Sequence, residues 1–281
     1  MTARTPALAL ACCILPVLAL AGCESAGSDL RDFGKTFSAT SPQEAATDAA
    51  NVADSEAQRR GTVLLANAVW GGSPVYVKLY RLYVEENTDP LVRAAAVDAL
   101  GRHGEPSDAV LVAKQLPHPS KQVRLSAAKA LQRLHNVQVA EDIWRRLLDE
   151  TEESEVRVEL AVALAQYATD DSFQALCTAL DQRELAVNLA ASDSLRLLTG
   201  EDFGIDRPLW LSWYKAQKSP FRQELVYLYP TYQRPFDFFD VVVFWQPITW
   251  EKPGLPAGMA DPGMRQTNSP NEFGNLGDGP T

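Results

Sequence analysis

Histidine is scarce in this chain, with three in 281 residues, at His103, His118 and His135. All three fall at or near expected helix ends and turns, and none forms a His-Glu pair on a repeated helix. Imidazole is the commonest metal ligand and a frequent general base, so the shortage argues against a histidine-rich metal centre. The usual catalytic motifs are missing as well: there is no G-x-S-x-G elbow, no phosphate-binding glycine loop and no H-E-x-x-H pair. Carboxylates abound at Asp149, Glu150, Glu152, Glu153 and Glu155. They crowd an expected inter-helix turn, where a solvated charged run is a simpler reading than a catalytic pair. The expectation is a non-catalytic chain with no metal and no cofactor.

Basic charge is short too. Acidic residues outnumber basic ones by 36 to 26, a formal net charge of −10. That excludes nucleic acid and an anionic lipid surface as the main partner, since both need basic patches. The excess acid is spread along the chain and reads as a soluble acidic surface.

Cysteine is rare: Cys12, Cys13, Cys23 and Cys177. The first two lie in a segment expected to be removed, so no disulfide framework is expected. Cys177 follows Phe173-Gln174-Ala175-Leu176 on an apolar helical face, and a small buried hydrophobe is its expected role rather than a reactive thiol.

Long apolar runs are limited to one, Ala7 to Leu20. At roughly 14 residues it is short of the about 20 that a spanning helix needs. A short positive region with Arg4 precedes it, and the small residues Ala21-Gly22 follow, then Cys23. This is the plan of a secretory signal. Leu20-Ala21-Gly22-Cys23 resembles the bacterial lipobox, which implies cleavage between Gly22 and Cys23, a diacylglyceryl group on the thiol and acylation of the new amine. Three acyl chains hold far more firmly than one. An ordinary signal with a chance cysteine and an uncleaved anchor are the competing readings. Glu24, in place of the aspartate that favours inner-membrane retention, points towards the outer membrane. The protein is therefore expected to be lipid-anchored at the cell envelope and to face the periplasm. Residues 24 to about 54 are rich in Ala, Ser, Thr, Asp and Gly and read, with Cys23, as a flexible tether (23–54) with at most short helical stretches. A coil of ~30 residues reaches ~30 Å.

What the chain has in quantity is repetition. Three segments align on a Val-Arg pair: Val92-Arg93 to Leu100, Val123-Arg124 to Leu131, and Val156-Arg157 to Leu164. A fourth, Val187-Asn188 to Leu195, lacks the arginine, and a weaker copy precedes them at Arg59 to Ala66. Successive valines are 31, 33 and 31 residues apart. Apolar positions recur at i, i+4, i+7 and i+8, one face of a helix, and small residues such as Ala96, Ala127 and Ala163 lie on it. Asp89-Pro90 and Pro119-Ser120 read as helix starts, and Gly101 and Gly200 as helix ends. Second helices are expected near Val75–Glu86, Asp108–Gln115, Val139–Glu150 and Ser172–Asp181.

Two helices per repeat of about 32 residues resemble the HEAT-like repeat, including the shorter kind of the phycobilin lyases. The resemblance covers about residues 55 to 200. It implies an all-α solenoid of four to five helix pairs and leaves activity open. In such repeats the arginine usually pairs with an acidic residue of a neighbouring repeat; a basic ligand ladder is the competing reading for Arg93, Arg124 and Arg157. Thr199-Gly200, Phe203-Gly204, Asp206, Trp210 and Trp213 look like an ending seen in uncharacterised bacterial HEAT-repeat proteins.

Residues 201–251 are expected as a covering helix around Trp210 and Trp213 followed by an aromatic strap over 236–250. For that strap, packing along the repeats, an exposed partner site and a lipid contact compete, with Asp237 and Asp240 against the last. Residues 252–281 hold 11 Pro or Gly in 30 and are expected to be disordered. The functional expectation is a membrane-anchored scaffold that binds an envelope protein of unknown identity through a groove. Tyr76, Lys78 and Arg81 are candidate contributors. A HEAT-like lyase or another enzyme is the alternative.

Overall fold

The computed structural model describes residues 41–222, 226–231 and 252–260. Gly22 and Cys23, the tether up to residue 40, the aromatic run 236–250 and residues 261–281 lie outside these.

The fold is all-α. Eleven α-helices form among the described residues: α1 (Pro42–Ala49), α2 (Ser55–Asn67), α3 (Pro74–Glu86), α4 (Pro90–His103), α5 (Asp108–Ala113), α6 (Lys121–Leu131), α7 (Ala140–Leu147), α8 (Ser154–Leu164), α9 (Asp170–Ala179), α10 (Leu185–Thr199) and α11 (Arg207–Ala216). No helix among them is long and apolar enough to cross a membrane.

Local chemistry sets the starts. Asp54, Asp89, Thr169 and Asp206 each accept backbone N–H bonds at an N-cap, which satisfies donors the helix itself cannot. Pro74, Pro90 and Pro208 sit in first turns, where no N–H is needed. Gly200 ends α10 at φ 86, a left-handed conformation that costs most other residues energy. Gly101 does not end a helix. It is buried inside α4, which runs on to His103, and a Cβ there would come within 2.8 Å of the Cα of Ala130 on α6. Its work is to let two helices approach.

The helices pack as two layers. The first holds α2, α4, α6, α8 and α10, each against the next; the second holds α3, α5, α7, α9 and α11, with a 3-10 turn at Val137–Val139 between α5 and α7. Each second-layer helix from α3 to α9 also packs on the first-layer helix that follows it in sequence. The three Val-Arg copies, the fourth at Val187-Asn188 and the weaker one all fall in the first layer. A continuous core runs through both layers from Ala45 to Trp210, including Val92, Ala96, Ala127, Leu131, Leu160, Ala163 and Leu195. So many alanines at the contact bring helix axes close, which large side chains would prevent.

Two segments differ from expectation. Within the stretch read as tether, α1 forms and packs on α2, with Ala45 and Ala49 buried and Tyr83 donating its hydroxyl to the Ala49 carbonyl at 2.5 Å. The folded body thus begins by Pro42 rather than near 55. Its Ala and Thr residues resemble a linker in composition, yet small residues are what a close helix crossing requires. Residues 252–260, read as part of a disordered tail, instead lie on the end of α6. Ala257 donates its N–H to Arg133 O and accepts one from His135, both at 2.8 Å, and Tyr229 donates to Gly254 O at 3.0 Å. A Pro/Gly-rich segment has no apolar face of its own, but its backbone groups still pair where another chain segment offers partners.

At the far end, α11 packs on α9. Trp210 is fully buried, donates its indole N–H to Gly204 O at 2.9 Å, and meets Phe173 and Phe203 edge-on. Tyr214 stacks on Phe173 with centroids 4.1 Å apart.

Candidate functional site

Position four after the N-cap is polar in every first-layer helix: Gln58 after Asp54, Arg93 after Asp89, Arg124 after Ser120, Arg157 after Glu153, and Asn188 after Glu184. The last four of these side chains turn back to the loop before their own helix. Arg93 donates to Asn87 O at 2.7 Å, Arg124 to His118 O and Pro119 O at 2.9 and 3.0 Å, Arg157 to Leu147 O at 3.0 Å, and Asn188 to Gln182 O at 3.0 Å. The first four also reach forward to the next loop. Asn87 donates to Gln58 at 3.0 Å, Arg93 to Gln115 at 3.3 Å, Arg124 pairs with Glu152 and Glu153, and Arg157 lies 3.6 Å from Glu184. The series therefore clamps successive repeats together, with only Arg157 Nη2 and Asn188 Oδ1 buried without a hydrogen-bond partner, and is not presented as a ligand ladder. The acids closest in sequence are not the partners of these arginines: Asp89 caps α4, and Glu155 pairs with Lys121 at 2.5 Å.

The acidic run is likewise structural, but not simply solvated. Glu152 is buried between Arg124 and Arg146, and Asp149 accepts from Thr151 and Arg146. Hydrogen bonding to Glu152 and to its own backbone, with Arg124 beside it, holds the Glu153 carboxyl down at about 2. The histidines are structural too. His103 bonds Ala66 O at 2.8 Å, His118 accepts the Ser120 N–H at 3.0 Å, and His135 stacks on Tyr167 and bonds Gln166 at 3.1 Å. Burial, then the charge of Arg93, lowers the pKa of His118. No group of three His, Cys, Asp or Glu suited to a metal ion occurs among the described residues. Cys177 is buried on α9, and desolvation pushes its thiol up to about 12.

The groove candidates Tyr76, Lys78 and Arg81 do not converge. All lie on α3 in the second layer. Tyr76 packs against Trp70, Lys78 is exposed, and Arg81 donates to the buried Asp108 at 2.6 Å. Arg81 thereby ties α3 to α5 and is spent on structure.

The outer face of the first layer is more informative. Three consecutive helices, α2, α4 and α6, line one recess of about 220 Å3. Asn67 comes from α2, Asp98 and Arg102 from α4, and Lys129 from α6, with Gln132 and Arg133 just beyond its last turn. Val63, Ala66, Ala95 and Ala130 give it an apolar wall. Asp98 is exposed at the recess, and the packing around it still raises its carboxyl pKa through desolvation, against the opposing hydrogen bond from Ser126 and the charges of Lys129, Arg102 and Arg133. Lys129 also stands 3.9 Å from Glu159 on α8, and the Arg133 guanidinium lies over the Tyr229 ring at 4.5 Å. A desolvated carboxylate among three cations is a common mark of a binding site, though ion networks produce it too. Sequence reading passed over the recess because its residues come from three repeats and form no motif. The alignment of the copies held the signal: Asp98 and Lys129 occupy the same column, with Arg102 and Arg133 four residues on.

No protein-family model matches the chain, and no curated protein matches it. Among solved structures, a crystal structure of an engineered protein is similar over 56% of this chain and 78% of its own, at 21% identity and a TM-score of 0.44. A likeness at that level carries no argument about fold or function.

Proposed function

We propose that this chain is a non-catalytic, lipid-anchored scaffold of the bacterial cell envelope that binds another protein through the outer face of its first helix layer. In this reading the two layers are a HEAT-like solenoid, α11 covers its last repeat, and the lipid on Cys23 holds the chain to the periplasmic face of a membrane, the outer one by the identity of Glu24. One observation carries the binding role. Successive first-layer helices combine into a mixed-charge recess, while the arginine and acidic clusters described above are for the most part engaged in holding the fold.

The anchor and the binding role are tested separately. Replacing Cys23 with Ser should release the protein from membranes on fractionation; retention in the membrane pellet would end the anchor reading. Crosslinking in intact envelopes followed by purification of the chain should return one consistent protein partner. Recovery of a bound pigment or metal in its place would favour an enzyme or lyase.

A further inference from the structure

Each of α2, α4, α6 and α8 has a later first-layer helix packed against it, but no first-layer helix follows α10 among the described residues. α11 does not take that place, because it packs on α9 in the second layer. The loop after α10 covers part of the vacant side, where Ser192 donates its hydroxyl to Gly204 O at 2.9 Å. One turn earlier, apolar side chains stand in water: Leu185 is 60% exposed and Leu189 51%. In the aligned copies the position of Leu189 is covered, with Ala94 buried and Leu125 and Val158 half-buried against the core. The Ser192–Gly204 bond and an ion pair between Arg207 and Asp181 at 2.5 Å bring the loop and the start of α11 alongside this half of α10. Ile205 and Leu209, each about half exposed, extend the apolar surface there.

Three features of this surface fit a second copy of the same chain. The patch is small, since the loop takes the other half of α10, and two-fold symmetry uses each of its residues twice. It also matches itself. Leu185 and Leu189 are one helical turn apart, so an antiparallel crossing centred at the level of Val187 sets Leu185 of each copy against Leu189 of the other. Ala186, exposed, and Ala190, half-buried, are small enough to let the two axes approach. The charges match as well. The same crossing brings Asp193 of one copy opposite Asp181 of the other. Asp193 pairs with Arg196 at 2.9 Å and Asp181 with Arg207, so ion pair meets ion pair although the chain carries a net charge of −10.

We propose that the N-terminal half of α10, with Ile205 and Leu209 beside it, is a two-fold interface between copies of this chain. α10 of the second copy stands where the next first-layer helix would be, and burial of the leucines drives the association. In the first layer α8 lies between this face and the recess on α2, α4 and α6, so pairing leaves that recess open and does not depend on what binds there.

The test is crosslinking with a short bismaleimide in cells that make two differently tagged full-length copies. Ala186→Cys puts a thiol beside the two-fold axis; Cys177 is buried, and the parent chain gives the background from Cys23. Ala186→Cys should yield a product of two chains that carries both tags. Val69→Cys, a 92% exposed site outside the patch, should not. Adding Leu189→Arg should reduce the product about tenfold or more, with the helical circular dichroism of the purified chain unchanged. Leu189→Glu in one tagged copy and Leu185→Arg in the other should restore it, because these positions face each other across the axis. Absence of a doubly tagged product, an equal yield from Val69→Cys, or an undiminished yield with Leu189→Arg would overturn the proposal. A product that joins one tag to a different protein would assign the face to that protein. Protection of the introduced thiol without any product would assign it to another segment of the same chain. Either result ends the proposal.

Discussion

Glu152 carries a carboxylate into a site closed to water, where Arg124 of α6 and Arg146 of α7 grip it from two sides. Removing one partner of a buried ionic cluster leaves the others desolvated and uncompensated, typically at a cost of about 3–5 kcal/mol. Glu152→Ala should therefore lower the thermal midpoint far more than Glu150→Ala, two positions away at an exposed site; equal midpoints for the two variants would refute the buried cluster. Nothing in the local run Asp149 to Glu155 marks Glu152 as the buried member, because its partners come from two other helices. The same is true of Gln58 and Asn188, which take the clamp position without being arginine. Cys177 was legible, since an apolar helical face announces its own burial. With the thiol near 12, the native protein should resist alkylation at pH 8 and react fully once unfolded in denaturant.

Helix–helix contacts follow the small residues. Ala127 is fully buried in α6, where an arginine would bring an unpaired charge into the core, so Ala127→Arg should abolish cooperative unfolding in a calorimetric scan. Gly101 offers a sharper test because propensity and packing pull in opposite directions. In an exposed helix, Gly→Ala gains about 1 kcal/mol. Here the new methyl would meet the Cα and Cβ of Ala130 at 2.8 Å, and forcing such contacts costs typically about 1–3 kcal/mol. Gly101→Ala should lower the urea midpoint, and a higher midpoint would show that α4 and α6 are not in contact there. The positions of α3 to α10 were readable from the periodicity of their apolar residues and the copies aligned on valine. The role of Gly101 was not, because a glycine near the end of a periodic run has the same sequence appearance as a C-cap. For α1 the obstacle was composition: the residues it buries, Ala45 and Ala49, are alanines, which contribute little to an apolar pattern.

Across the whole molecule, the response to acid is set by groups whose environments oppose each other. Glu153 is held at about 2 and Asp149 is lowered, the latter chiefly by its hydrogen bonds with Thr151. The folded state therefore binds fewer protons at these sites than the unfolded chain, whose carboxylates titrate near about 4. Their stabilisation is fully present above that value and is lost as pH falls through the folded pKa values, towards 2 for Glu153. Asp98 behaves in the opposite sense. Its pKa is raised by desolvation, so its contribution is complete below the unfolded value and declines as pH rises through the folded one. Between pH 5 and 2 the midpoint of the wild-type chain should fall, and Glu153→Gln should flatten that slope. Asp98→Asn should melt above wild type at pH 7, with the advantage disappearing on acidification. If Asp98→Asn instead melts below wild type at pH 7, then Asp98 is holding α4 and α6 together, and the recess loses its strongest claim to being a site.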